Sequence, residues 1–388
     1  MRTSHMIYIG AALTSLMCGT LIANSIWPIP QPQAEVTPEA SVQVATQAIQ
    51  QDLRPRIDVV FVVDTTGSMS GLLEGAKQTI WSIANRLSSG EPRPDIRVGL
   101  VAYRDITDEY VTKSFPLTRD LDTIHGQLSQ LVASGGGDGP EHVNRGLSDA
   151  IHGMSWEEGQ GVLRLVFLVG DAPPHDDYND GPTSTELART AAAKDITINT
   201  IRCGQMSDTA DAWRTIASLA GGKMTTIEQD GGVQAISSPF DDELAALNRA
   251  LATSSIGWGS AADKANARRK VRERSNLSGQ AAASAASYSA KNAYFVDEDL
   301  VTGIEDGRID LDRVDNALLP EAMQSMSDTE QRAYVEGLRS KRAKLNKQIL
   351  DVSKRRDAFI EDNAPADGFD NKVVDMLRDQ AAEIGVAY

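Results

Sequence analysis

The sequence predicts an α/β chain. Its centre is a doubly wound, mostly parallel β-sheet with helices on both faces, preceded by an N-terminal hydrophobic helix and followed by a C-terminal helical extension. Three observations carry this reading. Short runs such as "IDVVFVVD" (57–64) and "VLRLVFLVGD" (162–171) are apolar at nearly every position, as strands buried on both faces must be. Segments with helical periodicity separate these runs, which is the pattern of a parallel sheet with crossover helices. Several runs also stop on an acid, Asp64, Asp105 and Asp171. In such sheets ligands bind outside the carboxyl ends of the strands.

The 388 residues suffice for one domain with appendages or for two small domains, and a 41% hydrophobic content can fill a core. The net charge of −16 argues against a nucleic-acid backbone as partner, since no basic stripe is present. It suits an acidic, soluble surface and cation binding.

In chain order, residues 7–27, "IYIGAALTSLMCGTLIANSIW", carry no charge. As a helix they would be about 30 Å long, enough to cross a bilayer. Arg2 precedes them and no Lys or Arg follows until Arg54, which places the rest of the chain outside the cytoplasm. Residues 1–27 are therefore read as a signal peptide or a transmembrane anchor, and the protein as extracytoplasmic. Residues 28–55 form a spacer stiffened by Pro28, Pro30 and Pro32. With only Cys18 and Cys203 in the chain, no disulfide is expected outside the membrane, and Cys203 reads as a buried apolar residue.

Residues 56–255 form the domain proper. Its strands are "IDVVFVVD", "IRVGLVAYRD", "VLRLVFLVGD", "ITINTIRCG" and "KMTTIEQD", with helices between them. Thr183 and Glu186 make a capping box opening one helix, and Gly221 and Gly222 close another. Residues 256–318 read as a low-complexity and acidic linker; "VDEDLVTGIEDG" lacks the register of a calcium loop. Residues 319–388 are expected to be helical. Ser327 and Glu330 cap a long helix, and Leu338, Leu345, Val352 and Phe359 recur every seven residues as a stripe that packs on the body or on a partner.

The chemistry concentrates at the strand ends. After Asp64, Thr66 and Ser68 can bring one carboxylate and two hydroxyls to one point on a tight turn. Such hard oxygen donors suit Mg²⁺ or Mn²⁺; the alternative is a strand end whose Ser68 only caps the next helix. Asp171 ends a second apolar run, and "GGGDGPEHVNRGL" places Asp138 and Glu141 around Pro140 ahead of a helix.

The stretch "VVDTTGSMS" resembles the metal-ion-dependent adhesion site of von Willebrand factor type A domains, and the resemblance covers roughly residues 56–255. It implies a Rossmann-like fold with Asp64, Thr66 and Ser68 as the first ligand motif and Asp171 as the acid on a later strand. The D-x-P-E loop resembles that of integrin beta-subunit domains. This implies Glu141 as the third ligand with Asp138 beside it, and a second cation at Asp105, Asp138 and Glu141. Gly136 departs from those domains, as do Ser70, Gly71 and Leu72 where an acid pair would stand, so a single bound metal is expected.

The function expected is a non-enzymatic, adhesion-type module that grips an exposed carboxylate of a protein partner through a bound Mg²⁺ or Mn²⁺. Two other readings stay open. One is a metal-dependent hydrolase using His175, Asp176 and Asp177 beside Asp171; the other is a scaffold acting through its C-terminal helix.

Overall fold

Six strands form one sheet among the described residues: β1 (Arg56–Asp64), β2 (Asp95–Tyr103), β3 (Thr112–Thr118), β4 (Val162–Gly170), β5 (Ile196–Cys203) and β6 (Met224–Ile227). Their order is β3-β2-β1-β4-β5-β6, with every pairing parallel except β2–β3. The structure, a computed structural model, describes residues 54–137, 139–229, 236–277, 279–363 and 369–388. The N-terminal hydrophobic helix, most of the spacer and Asp138 lie outside the described residues. Among the described residues no helix is long and apolar enough to cross a membrane.

The central strand β1 is buried from Ile57 to Asp64, and its alternation feeds two cores. Ile57, Val59, Phe61 and Val63 face a core built with α1 (Ser70–Leu87) and α2 (Leu121–Gln130). Val60 and Val62 face a second core built with α3 (Val143–Gly153), α4 (Ser184–Ala193) and α5 (Ser207–Leu219). The capping box of Thr183 and Glu186 is formed. At the end of α5, Gly221 takes a φ of 69° and Gly222 N–H donates to the Ala217 carbonyl.

Strand β3 and helix α2 escaped sequence reading. β3 is an antiparallel edge strand, only partly buried, and contains Pro116. An edge tolerates proline because one row of its backbone groups needs no partner, so neither apolar continuity nor clean alternation marks it.

The larger difference concerns residues 256–318, expected to be a linker. They contain α7 (Ala261–Asn276), α8 (Gly279–Asn292) and α9 (Leu300–Glu305). The Ala/Ser run of α8 is buried from Ala282 to Ala290. Small side chains let it approach α1, α6 (Asp241–Ala252) and α10 (Asp328–Asn363) closely, with Ser287 and Ser353 hydrogen-bonded at 2.6 Å. Low complexity here reflects tight packing.

The stripe on α10 also differs. The residues buried every seven positions are Val335, Arg342, Ile349 and Arg356, whereas Leu338, Leu345 and Phe359 are half-buried. Two arginines lie on the inner face because buried acids await them. Arg342 makes a two-pronged bond to Asp299 at 2.6 and 2.8 Å, and Arg356 meets Asp241 at 2.7 Å. On α7, Lys270 bonds Asp120 at 2.5 Å and Arg274 bonds Asp122 at 2.7 Å. Breaking such a buried pair leaves an uncompensated charge, at a cost of about 3–5 kcal/mol.

Finally, α11 (Phe369–Ala382) places Val373, Met376, Leu377 and Ala381 in the same core as α1, with Ile201 and Cys203 of β5. Gln380 exchanges two 3.0 Å amide bonds with buried Asn199. One face of the sheet is thus completed by residues far beyond its last strand.

Candidate functional site

β1 delivers Asp64 to the carboxyl edge of the sheet, fully buried. The turn after it folds back on that carboxylate: Thr66 N–H and Oγ1 donate to Asp64 Oδ1 at 2.8 and 2.7 Å. Ser68 Oγ stands 3.4 Å from Thr66 Oγ1. Asp64 Oδ2 is buried without a hydrogen-bond partner. Thr65 ties the turn to β2, its N–H and Oγ1 donating to the Tyr103 carbonyl at 2.9 and 3.0 Å.

The glycine loop closes over this turn. Gly67 N–H donates to the Gly135 carbonyl and Ser134 N–H to the Thr65 carbonyl, both at 3.1 Å. Gly135 and Gly136 have φ of 85° and 79°, the left-handed region that favours glycine. A Cβ on Gly136 would lie 3.0 Å from Glu141 Oε1 and 3.3 Å from Thr66 Cβ. The Glu141 carboxylate and Thr66 therefore flank one glycine. Glu141 is also anchored to the loop after β4: its N–H donates to the Pro173 carbonyl, and its own carbonyl accepts from His175 N–H, each at 3.0 Å. Glu141 Oε2, like Asp64 Oδ2, is buried and unpartnered.

Asp171 completes the group. Its Oδ2 accepts from Gln229 Nε2 at 2.6 Å, and the same amide lies 3.4 Å from the Ser68 carbonyl. Gln229 links the third acid to the first turn, and the glutamine in "KMTTIEQD" carried no sequence signal for that role. Asp108 was missed too. Its carboxylate accepts from Gly136 N–H at 3.1 and 3.2 Å and from Asp105 N–H at 3.1 Å, so it cups the glycine loop.

The structure thus brings together Asp64, Thr66, Ser68, Glu141 and Asp171. Asp105 stands near enough for its charge to act on Glu141; its Oδ2 accepts from Tyr178 at 2.7 Å, while Oδ1 is buried without a hydrogen-bond partner. Asp138 lies outside the described residues. His175 is held by Asp177 at 2.8 Å and stacks on Tyr178 with centroids 4.0 Å apart. Both Asp176 oxygens are engaged, by Asn144 and by Ser184 at the start of α4.

Burial, with Asp171 and Asp108 nearby, pushes the Asp64 carboxyl up to about 7. Burial, then Asp64, Asp105, Asp108 and Asp171, pushes Glu141 up to about 9. A buried group of like charges is what a cation would neutralise. Among the described residues no three His, Cys, Asp or Glu side chains are grouped to hold a metal; an ion here would draw on the hydroxyls of Thr66 and Ser68 as well as on the acids. Two orphaned carboxylate oxygens beside two hydroxyls fit a hard divalent ion.

The sign of the pH dependence follows. A carboxyl raised in the folded state binds its proton more tightly there than in the unfolded chain, where it titrates near pH 4. The stability this contributes is full below about pH 4 and is lost as pH rises through about 7 and then about 9. Urea melts in EDTA are expected to show falling stability over that window, with added Mg²⁺ restoring more of it at about pH 8 than at about pH 5. A cation effect independent of pH would contradict this site.

One comparison with known families falls on the same region. The family model for the von Willebrand factor type A domain matches residues 58–238. Residues 58–238 are a von Willebrand factor type A domain. Over 120 residues the chain is 32% identical to the alpha-protein kinase vwkA of Dictyostelium discoideum, covering 31% of this chain and 19% of that protein. A further 25% identity over 188 residues links the chain to the putative ariadne-like RING finger protein R811 of Acanthamoeba polyphaga mimivirus, covering 44% of this chain and 18% of that one. The chain thus spans about a fifth of the length of the curated relatives it matches. Among solved structures, the SpRpn10 VWA domain aligns with TM-score 0.36 and 16% identity over 45% of this chain and 89% of its own. Proximal thread matrix protein 1 from mussel byssus, with a zinc-occupied MIDAS motif, aligns with TM-score 0.36 and 18% identity over 45% and 42%.

Proposed function

We propose that the von Willebrand factor type A domain is a divalent-cation-dependent protein-binding module that takes Mg²⁺ or Mn²⁺. One observation carries the reading: Asp64 Oδ2 and Glu141 Oε2 are buried and unpartnered beside the hydroxyls of Thr66 and Ser68. Asp64, Thr66, Ser68, Glu141 and Asp171 would hold the ion, which supplies an electrophilic position for an exposed carboxylate on a partner protein. Carboxylates all around repel a free acidic partner until the cation is present. The integrin-beta-like role of Glu141, a contribution from Asp138 and the absence of enzymatic activity belong to the same proposal. The hydrolase reading has less support, because Asp176, Asp177 and His175 are engaged in holding their own loop.

The test is capture of the partner by the full chain in Mg²⁺ against EDTA, by wild type and by Thr66→Ala. Capture is expected to vanish in EDTA. In Thr66→Ala, which removes a neutral ligand at constant charge, it should weaken by the equivalent of about 1–3 kcal/mol. Capture indifferent to both would end the reading. A hydrolase would instead show metal-dependent turnover abolished by His175→Ala.

The setting is proposed as extracytoplasmic, with residues 1–27 as anchor or signal, on the support of the uncharged run 7–27 behind Arg2. In a bacterial host, a periplasm-dependent reporter fused after Tyr388 is expected to be active. Activity from a cytoplasm-dependent reporter alone would refute the placement.

A further inference from the structure

At the edge of the sheet opposite the candidate cation site, the starts of β1 and β2 meet the end of α8. A cavity of about 220 Å³ opens there, lined by Arg54, Arg93, Arg119 and Lys291 against only two carboxylates, Asp95 and Asp306. In a chain of net charge −16, four cations converging on one cavity is a local reversal of the field. The pairing leaves a surplus. Arg119 pairs with Asp95, Lys291 with Asp357, and Asp306 with Arg308. Arg93 donates to the Lys291 backbone carbonyl. Among the described residues no carboxylate pairs with Arg54 or Arg93. Lys291 is held below the usual ammonium range, first by burial and then by Arg93 and Arg356, a state that an incoming anion relieves.

A second chamber of about 440 Å³ continues from the first, sharing Arg54, residues 292–294 and Asp306. It runs between α8, α9 and α10. Its lining mixes Tyr294, Phe295 and Leu251 with the amides of Asn292 and Asn346. Asn346 Oδ1, on this chamber, is buried without a hydrogen-bond partner, and Arg339 Nε lies 3.6 Å from Glu305 on the same wall. The turn between the chambers is strained, because Ala293 is held at φ 50°, and strained backbone of this kind collects at ligand clamps. A cleft of this size, with an apolar and aromatic wall and a few convergent polar groups, has the make-up of a small-molecule site.

We propose that this cleft binds a phosphorylated small molecule. Arg54, Arg93 and Arg119 hold the phosphate, guanidinium being the group best shaped for it, and the organic part lies along Tyr294 toward Asn346. The site shares no residue with the candidate cation site, and its occupation does not need a metal.

The test is thermal unfolding and calorimetry of the full chain in EDTA, which removes any cation through which a phosphate might bind elsewhere. The probes are inorganic pyrophosphate and adenosine monophosphate, with adenosine as the uncharged comparison. Millimolar pyrophosphate and adenosine monophosphate are expected to raise Tm, and adenosine is not. The Arg54→Ala/Arg93→Ala protein, altered at two exposed side chains, should fold and bind both anions on the order of 100-fold more weakly. Arg313→Ala, which removes an exposed cation elsewhere, should leave binding intact. No shift with either anion would overturn the proposal. So would a shift retained in the double variant, or one lost equally in Arg313→Ala.

Discussion

Removal of residues 369–388 is expected to abolish cooperative folding of the von Willebrand factor type A domain, although the family match ends at residue 238. Helix α11 contributes buried Val373, Val374, Met376, Leu377 and Ala381, and Val386 follows it into the core. Each large aliphatic side chain buried stabilises by about 1.5–3 kcal/mol. Deletion would also leave Asn199, fully buried between β4 and β6, without its Gln380 partner, at a further cost of about 1–3 kcal/mol. The Tyr388 hydroxyl bond to the Leu87 carbonyl and the backbone pairing of Glu91 with Ala387 would go as well. Together these losses are on the order of 10 kcal/mol, which matches the whole stability of an ordinary domain. Circular dichroism during thermal unfolding is the measurement. A truncated chain that melts cooperatively within a few degrees of wild type would show that α11 is an accessory. The same reasoning makes the isolated 56–255 segment unsuitable for metal titration, since α8 and α11 cover one of its faces.

Asp64→Asn is expected to move stability and cation binding in opposite directions. Asparagine keeps the shape and can still accept from Thr66 N–H through Oδ1, as Asp64 does at 2.8 Å. It removes a buried carboxyl whose titration is pushed up to about 7 by burial and by nearby Asp171 and Asp108. Without metal, the variant should therefore be more stable than wild type at about pH 8, where wild type bears the unfavourable charge. With Mg²⁺ present the order should reverse. Changing an outer-shell partner of a metal ligand costs about 10- to 100-fold in affinity, so replacing a direct ligand should cost at least about 100-fold. Urea melts with EDTA and with Mg²⁺, combined with calorimetric titration, separate the two effects. If Mg²⁺ affinity is undiminished in folded Asp64→Asn, the site assignment fails.

The sequence by itself determined the parallel sheet, because strands buried on both faces cannot avoid continuous Val, Ile and Leu. It also determined the first turn of the candidate site. Asp64, Thr66 and Ser68 are two residues apart on one turn, and their hydrogen bonds at 2.7 and 3.4 Å depend on local backbone alone. Glu141 and Asp171 were visible as residues but not as neighbours, since their meeting depends on the strand order and on two left-handed glycines. Asp108 and Gln229 were invisible, because a side chain that acts by touching a distant loop leaves no periodic mark. The C-terminal third misled for a related reason. An alanine-serine run looks the same in a linker and in a crowded helix interface, and an arginine on an inner face reads as solvent-exposed until its acid is found. Only tertiary structure brought Asp299 to Arg342 and Asp122 to Arg274, across 43 and 152 residues of chain. Burial of a charge is decided by its partner, and partners that distant are set by how the whole chain packs.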